Sequence, residues 1–247
     1  MCNSAGIILS ENGPRMPDDS MNESVNMEVQ IQHWKQSIAS IKSNLKNGTL
    51  RSLVDKQSLN SPNLVEHLRA HDKICSEQLG ILASHVDNEK LLDCSSPNTL
   101  NDPVVKEWCE FISHHYTAPK GLDNVLILLP CSARKPYRLS KSHGRFIRAI
   151  NTNSCHEVMV TSPLGLVPRD LEEIWPASHY DIPVTGDWTN DELIRTQTML
   201  ESLLARHEYN LVINHSGMKL DSGDIELIET RVGISAGSSE ALENLSN

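Results

Sequence analysis

Residues 125–129 read Val-Leu-Ile-Leu-Leu, the cleanest buried-strand signal in the chain. The segments after it fix the fold class. A second candidate strand, EVMVTS, occupies 157–162, and a long helix runs from about Asn190 to His207. That helix carries Leu193, Thr196, Leu200, Leu203 and Leu204 as its apolar stripe, with Thr189 or Asn190 as its N-cap. A strand in YNLVINHS comes next, then DIELIETRV, then a last helix opening at SSEALENL. Strands alternating with helices imply an α/β fold with a mostly parallel sheet.

The pattern before residue 120 is different. Val29, Ile31, Trp34, Ile38 and Ile41 recur near one helical face, and Leu64, Leu68, Ile74 and Leu79 continue the helical period. Asp102-Pro103 starts another helix, with Val105, Trp108, Cys109 and Ile112 turned inward. The first 25 residues are rich in Ser, Asn, Pro, Asp and Glu and are expected to be a disordered tail. The expected organisation is a tail (1–25), a helical region (26–119) and an α/β module (120–247).

A chain of 247 residues is long enough to bury a sizeable core, and with aromatics at 4% that core must be mostly aliphatic. No apolar run approaches the roughly 18 residues of a membrane helix. The N-terminus lacks a basic n-region and a long apolar h-region, so the expected address is cytoplasmic. None of the six cysteines falls in a C-x-x-C pair, so they are expected to be free thiols, and no metal site or cofactor is expected. The net charge of −10 argues against a broad nucleic-acid surface, because phosphate neutralisation supplies most of that affinity. A local basic loop can still meet an anionic substrate delivered by a partner.

In open parallel sheets ligands bind outside the carboxyl ends of the strands. Here those ends read Pro130-Cys131-Ser132, Thr161-Ser162-Pro163 and Asn214-His215-Ser216-Gly217. Cys131 is the candidate nucleophile. Arg134, Lys135 and Arg138 would favour its thiolate, and His143 is placed to transfer protons. The competing readings are a small buried cysteine and a histidine at a helix start. Tyr137 would stack on a base or cover the loop, and Ser140 and Ser142 are candidate caps for the helix near His143. Asp181, beside Tyr180, would suit a cationic substrate. Asp170, Glu172 and Glu173 open a further expected helix after Pro168.

Pro130, Cys131, Lys135, Pro136, Tyr137, Ser140, Ser142 and His143 fill every position of P-C-x-x-x-K-P-Y-x-x-S-x-S-H. This pattern resembles the signature of the archaeosine synthase family, relatives of the tRNA-guanine transglycosylases. The likeness continues through VTSPLGLVPRDLEEIWPASHYDIPVTGDW, covers roughly residues 100 to 245, and is weak before that. It implies a Rossmann-like three-layer α/β module similar to uracil-DNA glycosylase. It also implies a tRNA substrate carrying 7-cyano-7-deazaguanine, to whose nitrile an amine, the side-chain amine of lysine, is added to give an amidine. A radical enzyme would act next.

Full-length members of that family also carry a transglycosylase-like domain and a PUA domain. Neither is visible in this sequence, so a separate subunit is expected to supply them. In this reading Cys131, Lys135 and His143 are catalytic. Ser132, Arg134, Tyr137, Ser140, Ser142, Thr161, Ser162 and Asp181 bind substrate. The alternatives are a non-catalytic tRNA-docking subunit and a thiol hydrolase acting on a small amide.

Overall fold

A computed structural model describes residues 8–10, 13–15, 23–60, 62–74, 91–94, 97–182 and 187–247. Leu79 and two of the six cysteines, Cys2 and Cys75, lie outside the described residues. The chain divides into two compact units, Met1–Asp87 and Asn88–Asn247. The division falls some thirty residues before the boundary read at 119, because the helix opened by Asp102 packs with the α/β module.

The first unit has a short antiparallel pair, β1 (Ile8–Ser10) and β2 (Gly13–Arg15), within the stretch read as a tail. Three helices follow: α1 (Glu23–Lys46), α2 (Leu50–Ser58) and α3 (Pro62–Ile74). Its interior is polar. Arg51 donates to both carboxylate oxygens of buried Asp72, at 2.8 and 2.7 Å, and to buried Asp55 at 3.1 Å. Among the unit's described residues Leu68 is the one hydrophobic side chain that is buried.

The second unit is built on a five-stranded sheet. Its strands are β4 (Val125–Pro130), β5 (His156–Thr161), β6 (Gly165–Pro168), β8 (Leu211–Asn214) and β9 (Glu226–Glu229), in the order β6-β5-β4-β8-β9. All neighbours are parallel except β5 and β6. A separate parallel pair joins β3 (Leu92–Asp93) to β7 (Tyr180–Asp181).

Four consecutive residues of β4, Leu126 to Leu129, are no more than 3% exposed. Side chains alternate along a strand, so both faces of the sheet are covered. The helices α4 (Pro103–His114) and α6 (Asn190–Ala205) pack on each other and on β6, and α5 (Lys141–Ile150) packs on α7 (Ser239–Ser246). Trp108 of α4 donates its indole N–H to the Leu166 carbonyl of β6 at 3.1 Å. The unit is thus a mixed α/β fold with a mostly parallel sheet. Among the described residues no helix is long and apolar enough to cross a membrane.

Local chemistry sets the element ends. Asp102 caps α4 through the Val104 amide at 2.9 Å, with Pro103 at the first helical position. Thr189 and Glu192 close a reciprocal capping box on α6. Gly165 opens β6 at φ +70°, where a Cβ would run into the Met199 sulfur. The helix expected after Pro168 is a single 3-10 turn, Arg169–Leu171.

Candidate active site

The chain leaves β4 through α5 to β5 on one side, and its later strand β8 lies on the other side of β4. The strand order therefore reverses between β4 and β8, the position where open α/β sheets hold ligands. Cys131 follows the last residue of β4 there and is half-buried.

Burial pushes the Cys131 thiol above its ordinary value of 9.0, and Lys135 and the hydroxyl of Thr161 pull it back down. The sequence expectation of a thiolate favoured by three cations is corrected: Lys135 alone stands close. Arg138 turns away, with Nε on buried Glu172 at 2.8 Å and Nη1 on Glu173 at 3.1 Å. Arg134 is exposed, and its carbonyl accepts the Ser132 hydroxyl at 2.9 Å.

Lys135 is the hub of the site. Its Nζ lies 4.0 Å above the ring centre of Tyr180. Burial lowers its pKa, opposed by Cys131, Asp181 and Cys94. Asp181 is exposed, and its carbonyl accepts the Cys94 amide at 2.8 Å. A second thiol, Cys94, therefore borders the site, and burial drives its pKa well above the usual thiol range.

Beneath these groups lies a buried line of hydroxyls. Tyr137 is hydrogen-bonded to Tyr180, and Tyr180 to Thr161 at 2.5 Å. Burial raises the pKa of both phenols, so they stay protonated at neutral pH. Ser162 donates instead to Glu192, the capping residue of α6. Ser140 caps α5 by accepting the His143 amide at 3.1 Å, and Ser142 touches Ser140 rather than the backbone. Of the residues read as binding substrate, Thr161, Tyr137 and Asp181 gather around Cys131 and Lys135. Ser132, Ser140, Ser142 and Ser162 are engaged in local structure.

His143 also departs from expectation. Its Nε2 is 3.0 Å from the Pro130 carbonyl and its Nδ1 is 3.1 Å from Arg169 Nη2. A carbonyl only accepts and a guanidinium only donates, so the ring is the neutral Nε2–H tautomer. Burial, with Arg169 adding to it, drives the His143 pKa down to about 3. Both ring nitrogens are occupied and the ring is fully buried, so in this structure His143 braces the Pro130 carbonyl against Arg169.

The brace continues outward. Arg169 donates to Glu157 at 2.9 and 2.6 Å and to Glu172 at 3.0 Å. Glu172, expected in the opening turn of a helix after Pro168, is fully buried. The motif spacing pointed to neither Arg169 nor Glu172. Tyr180 was equally unforeseen, since it arrives on a two-residue strand with no periodicity of its own.

The third strand end contributes little open chemistry. Asn214 donates to Met218 O and Glu229 Oε1, both at 2.8 Å, and accepts the Ser216 hydroxyl at 2.6 Å. His215 is held by Thr230 and the Ala236 carbonyl. Beyond them lies a cleft of about 350 Å³ bordered by Gly217, Lys219, Glu229 and Arg231. Cys155 is buried and Cys109 half-buried, and both thiols are pushed up to about 11 by burial first. Among the described residues no group of His, Cys, Asp and Glu is placed to hold a metal ion.

Residues 105–247, from α4 to the end of the chain, match the family model described as Domain of unknown function (DUF5591). The chain belongs to the DUF5591 family. The DUF5591 match takes in Cys131, Lys135, Tyr137, Thr161 and Tyr180. Archaeosine synthase subunit alpha of Thermoplasma acidophilum is 38% identical over 182 residues, covering 70% of this chain and 33% of that one. Archaeosine synthase subunit alpha of Methanosarcina acetivorans is 37% identical over 220 residues, covering 85% of this chain and 34% of that one. Archaeosine synthase of Haloferax volcanii is 33% identical over 180 residues, covering 72% and 30%.

The chain thus spans about a third of the length of these relatives. The likeness to archaeosine synthases first read from residues 130–143 is shown, and it is longer than the sequence reading allowed. An alignment over 85% of the chain must include residues before 100. A solved structure of a protein of unknown function superposes at a TM-score of 0.43 and 24% identity, over 56% of this chain and 47% of that one.

Proposed function

We propose that this chain modifies tRNA in archaeosine biosynthesis, adding an amine to the nitrile of 7-cyano-7-deazaguanine. The observation that carries the reading is the half-buried thiol of Cys131 at the switch point of a parallel sheet, beside Lys135. The sequence likeness to archaeosine synthases supplies the substrate class.

A nitrile carbon is electrophilic and uncharged, so a thiol can add to it without an acidic leaving group. The Cys131 sulfur bonds to the carbon, and the thiol proton ends on the nitrile nitrogen, leaving a thioimidate. The incoming amine then bonds to the same carbon, the C–S bond breaks, and the proton lost by the amine returns to sulfur. The products are an amidine and the free thiol, with no redox change and no cofactor. Lys135 offsets the desolvation of the thiolate and relays the proton. The protonated Tyr137–Tyr180–Thr161 line holds the pocket wall and donates toward the sulfur. Asp181 is exposed and charged beside Lys135, where it would attract the ammonium of a lysine substrate.

A second reading draws on the raised thiol pKa of Cys131. Direct attack by the amine, with Cys131 only shaping the pocket, needs no thiolate. One experiment separates the two. The chain, alone and with transglycosylase-like, PUA-containing and radical-enzyme partners, is given cyano-modified tRNA and labelled lysine. Digested nucleosides are then read by mass spectrometry. A lysine adduct lost in Cys131→Ala supports covalent catalysis, and an adduct retained by that variant selects direct attack. No adduct under any combination removes the archaeosine chemistry and leaves a tRNA-docking subunit.

A further inference from the structure

We propose that α1 is the docking surface for a second copy of this chain, packed antiparallel along a two-helix seam. The inference does not rest on the archaeosine reading. Met27, Ile31, Trp34, Ile38, Ile41 and Leu45 follow one another at alternating intervals of four and three, the core spacing of a coiled coil. All six are exposed, from 44% at Ile41 to 65% at Met27. The side of α1 that is half-buried carries Val29, His33, Ser37, Ser40 and Asn44 instead. The helix thus turns a largely polar face to its own unit and its apolar stripe to solvent. A lone surface helix does the opposite.

The spacing says what covers the stripe, because it is its own complement. Laid antiparallel on a copy of itself, Met27 meets Leu45, Ile31 meets Ile41, and Trp34 meets Ile38. Each contact occurs twice about one twofold axis at Gln36, so all six seam positions are filled. The large indole faces an isoleucine rather than another indole. The flanking charges agree with this orientation. Glu28 and Lys42 occupy equivalent flanking positions two heptads apart, so Glu28 of each copy faces Lys42 of the other. Lys35 meets its own counterpart near the axis, where the long stems can carry their charges apart into water. A parallel pairing sets Trp34 on Trp34 and Lys42 against Ser37, with no opposite charges matched by these residues.

The test is the mass of the full chain in solution by light scattering across a concentration series. The expected result is a dimer, at twice the 27.5 kDa of one chain. Ile38→Glu should give a monomer at concentrations where the parent is dimeric, with helix content by circular dichroism unchanged. Should Ile38→Glu lose helix, the charge exchange carries the test alone. Lys42→Glu places like charges at both ends and should weaken the dimer about tenfold at low salt. Adding Glu28→Lys to Lys42→Glu should restore it. A chain that stays monomeric at every concentration overturns the proposal, including the case in which its own α/β unit covers α1. A dimer indifferent to Ile38→Glu places the interface elsewhere, and a dimer indifferent to the charge exchange rejects the antiparallel register.

Discussion

Cys131 is pulled two ways, and the balance can be measured. Burial raises its pKa above 9.0 while Lys135 and Thr161 lower it. The rate of alkylation at Cys131, followed by peptide mass spectrometry, is therefore expected to keep rising past pH 9 rather than level off at neutral pH. Lys135→Met should slow alkylation at pH 8 by about threefold to tenfold, because the nearby cation is gone. His143 makes the opposite kind of prediction. Its pKa of about 3 leaves no ionisation near 6.5 to lose, so His143→Gln should leave the shape of a pH–rate profile intact. It should lower stability by about 1–3 kcal/mol, read in a denaturant melt, because Pro130 and Arg169 lose a buried partner. At this scale the motif spacing lies on residues that the structure places near one another, Cys131, Lys135 and Tyr137. It could not show the burial of His143, since a buried neutral imidazole and an exposed one share the same letter.

Among the elements, β4, β5, β8 and the long helix α6 were legible to within a few residues, because aliphatic runs and the Thr189 cap mark them. Strand β6 was not, since Gly-Leu-Val-Pro reads as a turn until Trp108 and Met199 close over it. The apolar stripe of α1 was legible as a helix, but its direction was not. Periodicity reports a face and says nothing of what lies opposite. Two strand-end histidine contacts give the α/β unit a pH response. Burial first, then His207, lowers His156 to about 4. Its ring is held by Tyr116 at 2.8 Å and Tyr209 at 2.5 Å. Below about pH 6.5 the unfolded chain takes up protons at His143 and His156 that the folded chain refuses, so stability falls with pH. Unfolding free energy is expected to drop by a few kcal/mol between pH 7 and pH 4.5 from these two groups, most steeply below about 6. A urea series across that range checks it. His156→Phe should flatten the slope even if it costs stability at pH 7, whereas an unchanged slope would show that other groups control acid unfolding.

Across the whole molecule the charge is −10, yet α5 carries Lys141, Arg145 and Arg148 at intervals of four and three, all exposed. If the chain acts on tRNA as proposed, this stripe is the basic surface of α5 that its backbone would meet. Replacing all three by Gln should weaken tRNA binding and reduce the slope of log affinity against log salt by about 2–3. An unaltered slope in filter binding or fluorescence anisotropy would place the contact elsewhere. The bracing of Pro130 by His143, of His143 by Arg169, and of Arg169 by Glu157 and Glu172 has a consequence for descent. Replacing any one of these residues strands a buried charge or an unmet donor, at a cost of about 3–5 kcal/mol for the charged ones. A lineage can hardly cross that gap one substitution at a time. His143, Arg169, Glu157 and Glu172 should therefore be inherited as a block, kept together or exchanged together, while the exposed positions between them drift independently.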